Sequence, residues 1–353
     1  MQEFSYQSCS EQAAAYLREA LVREKWGGSV PGIHRLSDEL GVDHKTVMAA
    51  LYLLEQEGIL VPQGPGKRRK IVRTREDVRP LKIGHLLYEA MDVQVDYFVD
   101  LHHRLAEAGH LPFYTERTQT ELNFELSRIR PMVEQADADA WIVSAGSQEV
   151  LTWFAQQAVP ALALFGRMKG LPLAGAGTDQ GPALVAAVNR LTELGHRRIV
   201  MLTRTERRLP EPGPVERVFL DELEARGIQT GNYNLPDWED SPEGFQAILE
   251  SLFQVTPPTA LIVSEAFLLV ATQQFLLHRG IRVPEDVSLI CIDPDPTFAW
   301  CQPAIAHIAW DSRPVVRRIV RWAANVSKGR EDLRKTQTRA EFVDGGTVGP
   351  AKK

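Results

Sequence analysis

The chain has 353 residues, 44% of them apolar and 24% charged, with a formal net charge of −6. That is the make-up of a globular protein long enough for two or three domains, each with its own core. It argues against a chain that coats nucleic acid along its whole length, and no apolar run reaches the roughly 18 residues of a membrane span. The opening MQEFSYQSCSEQAAAYL has neither the basic start nor the continuous apolar stretch of a secretory signal, so a cytoplasmic location is expected. Cys9, Cys291 and Cys301 are odd in number and wrongly spaced for zinc or a disulfide framework, and are read as buried or inert thiols.

In chain order, Ser8 and Glu11 have capping-box spacing, ahead of Ala14, Leu17 and Leu21 on one face of a first helix. Leu36 and Leu40 mark a second helix, and Gly41-Val42 a tight turn. Asp43 is the N-cap of a third helix whose apolar stripe is Val47, Leu51 and Leu54, with Gly58 as its stop. Ile59-Leu60-Val61, the turn Gln63-Gly64-Pro65-Gly66 and the segment Lys67 to Val72 read as a two-stranded wing. This is the spacing of a helix-turn-helix, whose second helix lies in the DNA major groove.

Asp43, His44, Lys45, Thr46 and Met48 fall at the start of that helix, where side chains reach base edges. His44 and Lys45 can donate to guanine, and Met48 can pack on a thymine methyl. His34 and Arg35 lie at the start of the bracing helix, and Lys67, Arg68 and Arg69 are suited to phosphates or the minor groove. For any one of these charges, a solvated surface role is the plain alternative. Residues 1–80 carry a net +1 against −7 for the remainder, and no acidic residue interrupts the basic run from Lys67 to Arg75. A basic patch on an otherwise acidic chain is the footprint of a DNA module.

The segment resembles the winged helix-turn-helix of the GntR family of bacterial regulators. The likeness is carried in one register by Pro31, Gly41-Val42, Thr46-Val47, Ala50-Leu51, Leu54-Glu55 and Glu57-Gly58-Ile59. Two arginines common in that family fall on His34 and His44 here, so the operator of relatives does not transfer. The polar stretch Thr74–Pro80 ends in proline. It divides the chain into a head over residues 1–74, a linker over 75–81 and a body over 82–347.

In the body, apolar runs suited to buried parallel strands are Ile83–Leu87, Trp141–Ser144, Ala161–Phe165, Ile199–Leu202, Ala260–Val263 and Val287–Ile292. Helical stretches alternate with them, such as Phe98, Leu101 and Leu105 ending at Gly109, or Leu184, Val188 and Leu191 ending at Gly195. The expected class is α/β, with doubly wound parallel sheets and helices on both faces. Gly175–Gly181 has GxGxxxG spacing and is read as a flexible crossover between lobes rather than a dinucleotide loop. His196, after a helix-ending glycine, is read as structural or superficial. With no Ser/His/Asp order, HExxH or P-loop, neither an enzyme nor a cofactor is expected.

Ligands of open α/β sheets sit beyond the carboxyl ends of the strands. That rule selects Tyr88, Glu89, Ser144, Ser147, Arg167, Thr203, Arg204, Glu265 and Asp293. Asp293, Glu265 and Arg167 could bracket neighbouring hydroxyls, and Phe98, Trp300 or Trp310 could cover an apolar face of the ligand. For each of the three aromatics a core or dimer-interface role is the alternative.

Asp179-Gln180-Gly181 with Leu194–Ile199, Pro257–Leu261, and Gly280–Ser288 leading to Ile292-Asp293 resemble the effector-binding body of the LacI/GalR regulators. That likeness implies two periplasmic-binding-protein-like lobes joined by three crossovers, with a sugar-like effector in the cleft. It puts Asp293 at the family's ligand-facing aspartate and Glu265 where another aspartate is usual. An arginine used by many relatives falls on Val215, Val218 replaces a glycine, and Pro210–Pro214 is an insertion. Head and body together are similar to the arabinose-repressor type. The expectation is a ligand-responsive repressor, a homodimer straddling a near-palindromic operator in double-stranded DNA. The alternative is a metabolic enzyme or small-molecule sensor whose head no longer binds DNA.

Overall fold

A computed structural model describes residues 8–22, 26, 29–57, 59–64, 67–71 and 79–352. Gly58, Pro65-Gly66 and the expected linker as far as Val78 lie outside those described residues. The chain forms two compact units, Met1–Arg79 and Pro80–Lys353.

The first unit holds α1 (Cys9–Val22), α2 (Ile33–Leu40), α3 (His44–Gln56), β1 (Leu60–Val61) and β2 (Lys70–Ile71). Leu17, Leu36, Val47, Leu51, Leu54 and Leu60 are almost wholly buried together, so the three apolar stripes do meet in one small core. Ser8 and Glu11 form the expected reciprocal cap: the Ser8 amide donates to Glu11 Oε2 at 2.7 Å and the Glu11 amide to Ser8 Oγ at 3.3 Å. Gly41, at φ +65°, ends α2 in the left-handed conformation that a side chain would resist. Two residues later Asp43 starts α3, its Oδ1 accepting the amides of Lys45 (2.7 Å) and Thr46 (3.0 Å). β1 and β2 pair antiparallel, Leu60 opposite Ile71.

The second unit has two lobes. β3 (Lys82–Leu86), α4 (Asp96–Glu107), β4 (Leu111–Tyr114), α5 (Leu126–Gln135) and β5 (Ala140–Ser144) open the first. It continues through α6 (Gln148–Ala155), β6 (Ala161–Leu164) and β7 (Ala174–Asp179). The other lobe holds α7 (Gly181–Glu193), β8 (Ile199–Leu202), α8 (Thr205–Arg208), α9 (Pro214–Ala225) and α10 (Pro242–Val255). β9 (Ala260–Val263), α11 (Ala266–His278), β10 (Ser288–Cys291) and β11 (Ala306–Trp310) complete it. α12 (Ser312–Val326) returns to the first lobe, and β12 (Lys335–Val343) belongs to both.

The strands lie in the order 4-3-5-6-7-12-11-10-9-8, all neighbours parallel except β11 and β12. β5, β6, β8, β9 and β10 are buried at every position. Helices cover both faces, which is why those strands read as continuous apolar runs rather than alternating ones. The chain crosses between lobes after Asp179, after Trp310 and within β12, whose Lys335–Arg339 pairs with β7 and whose Ala340–Val343 pairs with β11.

Gly175–Asp179 is not a flexible connection but strand β7, paired with β6 on one side and β12 on the other. Its Ala and Gly residues lack the apolar bulk that flags a strand, so only the turn at Gln180 acts as the crossover. His196 is structural: it is 1% exposed, with Nε2 2.9 Å from the Gly349 carbonyl oxygen and 3.1 Å from Ser288 Oγ. It holds the last residues of the chain against the lobe. Cys291 is buried and Cys301 partly so, while Cys9 is exposed. Among the described residues no helix is long and apolar enough to cross a membrane.

Candidate functional site

In the first unit, the solvent face of α3 presents His44, Lys45 and Met48, the last 52% exposed. His34 and Arg35 are exposed on the first turn of α2, and the His34 and His44 rings meet edge-on with centroids 4.4 Å apart. The two helix starts therefore form one surface. Asp43 and Thr46 are engaged with each other, the Thr46 hydroxyl donating to Asp43 Oδ2 at 2.7 Å. That hydrogen bond, with the Thr46 and Lys45 amides, holds the Asp43 carboxyl below its ordinary range. These two residues start the helix rather than offer free groups.

Lys67 and Arg68 are exposed and unpaired among the described residues. Arg69 differs from the expectation. Its Nε pairs with Glu55 on α3, and its side chain is only 24% exposed, so its charge fastens the hairpin to the helix.

In the second unit, the strand ends build a cleft between the lobes. Beyond β3, Tyr88 and Glu89 lead into a 3-10 turn over Ala90–Gln94. Asp92 Oδ2 fixes the turn by accepting the amides of Tyr88 (3.1 Å) and Glu89 (3.2 Å). β5 and β6 end in left-handed residues, Ala145 at φ +46° and Phe165 at φ +62°. Each conformation costs on the order of 1 kcal/mol, the kind of local strain that packing elsewhere must offset. Gly166 follows, so close to Gly146 that a Cβ would lie 2.7 Å from the Gly146 carbonyl oxygen. The chain leaves this crossing with Arg167 at the edge of the other lobe.

There Arg167 donates to the carbonyl oxygens of Glu206 (3.1 Å), Arg207 (3.2 Å), Leu209 (3.1 Å) and Glu211 (2.7 Å). These carbonyls lie in α8 and in the loop after it, groups that a guanidinium satisfies well. Beyond β8, Arg204 Nε donates to Asp240 Oδ2 at 2.6 Å, and Nη1 to Glu89 Oε2 and Glu265 Oε2, both at 3.3 Å. Its guanidinium also lies 5.3 Å from the Tyr88 ring centre and 5.6 Å from that of Phe267. The Tyr88 hydroxyl donates to Glu206 Oε2 at 2.8 Å. Thus the Arg167 bonds, the Arg204–Glu89 pair and the Tyr88–Glu206 bond all join one lobe to the other.

Next to this bridge, Arg207 Nε donates at 2.7 Å to Oε1 of Glu216, a buried side chain on α9. Asp293 follows β10, and its carboxylate has no hydrogen-bond partner among the described residues. Burial pushes it up to about 6, against the pull of Arg207. Burial likewise pushes Glu265 up to about 7, against Arg204, and Asp92 up to about 6. Tyr97 on α4 packs 5.3 Å from the Trp310 ring, which in turn lies 5.6 Å from Phe165. Burial, then the charges of Asp293 and Asp92, push the Tyr97 hydroxyl above its ordinary range.

Seven of the expected ligand residues, Tyr88, Glu89, Arg167, Arg204, Glu265, Asp293 and Trp310, thus come together. Three do not. Ser144 is 1% exposed with its Oγ 2.8 Å from His85 Nε2, inside the first lobe. Phe98 is 2% exposed and packs edge-on against His85, because one residue beyond Tyr97 the helix has turned into the core. Trp300 is 89% exposed at the end of a 3-10 turn in which Phe298 takes the buried position. The aromatic surface comes from Trp310, with Tyr97 and Phe165 beside it. Ser147 caps α6 by accepting the Val150 amide at 3.2 Å.

Asp92, Tyr97, Glu206, Arg207, Glu216, Asp240 and Phe267 were not expected. One signal could have found some of them: Thr203-Arg204-Thr205-Glu206-Arg207-Arg208 crowds four charges directly after a buried strand, where solvent alone needs none.

A family model described as a periplasmic binding protein-like domain matches residues 188–348. No curated protein matches the chain. Among solved structures, a LacI family transcriptional regulator from Enterococcus faecium with bound ribose is similar at TM-score 0.61 and 16% identity. The match covers 77% of this chain and all of that one. The transcriptional regulator CelR in complex with cellobiose is similar at TM-score 0.63 and 16% identity, covering 90% of this chain and all of that one. A LacI family regulator from Lactobacillus casei with bound glucose gives TM-score 0.59 and 17% identity, covering 76% and 99% of the two chains. The body therefore has the two-lobed, periplasmic-binding-protein-like α/β fold.

Proposed function

We propose that the chain is a transcriptional repressor whose head reads double-stranded DNA and whose body senses a small polar metabolite, a sugar or sugar derivative. The observation that carries this reading is the interlobe cleft, where charged side chains from both lobes meet beside an aromatic wall. A ligand entering there changes contacts that belong to two lobes at once, which is what coupling to a conformational state requires. The similar structures that hold ribose, glucose and cellobiose support a sugar-like ligand.

For the head, a capped, exposed helix start beside a basic hairpin supports a winged helix-turn-helix of the GntR type. His44, Lys45 and Met48 read base edges, with His34 and Arg35 beside them, and Lys67 and Arg68 meet phosphates. A homodimer places two heads on half-sites about one helical turn, or a multiple of it, apart. The test is fluorescence anisotropy with DNA from upstream of the chain's own gene, repeated with a panel of sugars. Salt-sensitive binding weakened by one ligand is expected. Binding no tightness above that for random DNA, with or without ligand, overturns the proposal.

A further inference from the structure

The polar groups of the cleft divide into those already engaged and those left over. Arg167 is committed to backbone carbonyls, Arg204 to Glu89, Asp240 and Glu265, and Arg207 to Glu216. What remains without a hydrogen-bond partner among the described residues is the Asp293 carboxylate and the Tyr97 hydroxyl. Ser264 Oγ is also fully buried and unpartnered, at the end of β9 next to Glu265. Along β8 and β9, side chains alternate between the two cores of this lobe. Ser264 therefore falls on the sheet face of Thr203, whose Oγ1 donates to Glu216 Oε1 at 3.4 Å.

The charge balance points the same way. Arg167, Arg204 and Arg207 share the cleft with Glu89, Asp92, Glu206, Glu216, Asp240, Glu265 and Asp293, so carboxylates outnumber guanidiniums in a space largely withdrawn from water. An anion brought here meets like charge, and a neutral hydroxyl leaves the surplus in place. A cation offsets the desolvation of Asp293 and gains from the electron-rich faces of the adjoining rings.

We propose that the ligand of this cleft is an amine-bearing sugar, its ammonium seated on the Asp293 carboxylate and its apolar face on the Tyr97–Trp310 wall. The inference rests on reading the cleft as the effector site. Burial that pushes Asp293 and Glu265 upward accords with a site built to receive positive charge. The same ammonium could be carried by an aliphatic diamine, and the experiment separates the two sources.

Thermal shift and calorimetry on the full-length protein near neutral pH would compare glucosamine and galactosamine with glucose, N-acetylglucosamine, glucose 6-phosphate and putrescine. An amino sugar is expected to raise the melting temperature and to bind at least about tenfold more tightly than its neutral parent. N-acetylation, which removes the charge, should abolish that advantage. Asp293→Asn should abolish it too, with the circular dichroism spectrum unchanged. Glucose or glucose 6-phosphate binding as tightly as the amines overturns the inference, as does a complete lack of response to amines. Putrescine binding without either amino sugar overturns the sugar body. A neutral sugar that releases DNA would sink this inference and leave the repressor reading standing. Failure to bind DNA would sink that reading without affecting these titrations.

Discussion

In the head, Lys45, Lys67 and Arg68 stand in solvent without partners among the described residues. In the cleft, Arg204 is 8% exposed and surrounded by three carboxylates and two aromatic rings. A solvated charge costs little to display and is free to meet a polyanion, so each such residue acts almost alone. A buried charge has to be satisfied where it sits, so every group around Arg204 depends on the others. Substitutions should therefore change binding in the head and folding in the cleft.

The sharpest way to break that contrast is Arg204→Ala. It leaves Glu89, Asp240 and Glu265 withdrawn from water without their cation and is expected to cost about 3–5 kcal/mol in urea unfolding of the body. A loss below about 1 kcal/mol would show that the cleft charges are solvated after all. Leu51→Ala, in a core of few residues, should cost about 2–5 kcal/mol and unfold the head first. Loss of DNA binding with an intact cleft transition is the expected pattern.

Asp293→Asn sharpens the comparison through pH. The folded pKa of about 6 lies above the unfolded value, so the protonated carboxyl favours the fold. That contribution is present below about pH 4 and is lost as pH rises through 6. Asparagine lacks the linkage, so the variant should gain on its parent from about pH 4 to 8, by on the order of 2 kcal/mol. A pH-independent difference would place Asp293 in water.

Lys45→Ala should weaken binding to the preferred site by about 1–3 kcal/mol and relax choice at one base pair. Arg68→Ala should weaken all sequences alike and lower the salt slope by about one unit. Equal effects of the two on specific and random DNA would remove the division between base reading and phosphate neutralisation.

The same contrast explains what could be read beforehand. The first unit is held by local signals, the Ser8–Glu11 cap, the Gly41 turn and the Asp43 cap, each contained within a few residues. The centre of each sheet was legible because strands covered on both faces are apolar throughout. β4, β7, β11 and β12 were not: β4 lies at a sheet edge and contains Pro112, β7 is made of small residues, and β12 alternates exposed with half-buried positions. For the cleft, the rule of strand ends found Tyr88, Glu89, Arg167, Arg204, Glu265 and Asp293. It missed Asp240 and Glu216, whose positions depend on contacts far along the chain, and Tyr97, which lies on a helix. Arg69 was misplaced because Glu55, fourteen residues earlier, is indistinguishable in sequence from any solvated helix glutamate.

β12 carries a mechanical consequence. Arg339 pairs with Asp179, where the first crossing leaves, and Ala340 pairs with Trp310, where the second does. All three passages therefore sit side by side, stitched by ladder hydrogen bonds like the sewn spine of a book. Such a seam lets the two covers swing but resists any sideways slip, which would have to tear the stitches. The seam thus sets residues 179, 310 and 339 side by side as the place where one lobe can turn against the other.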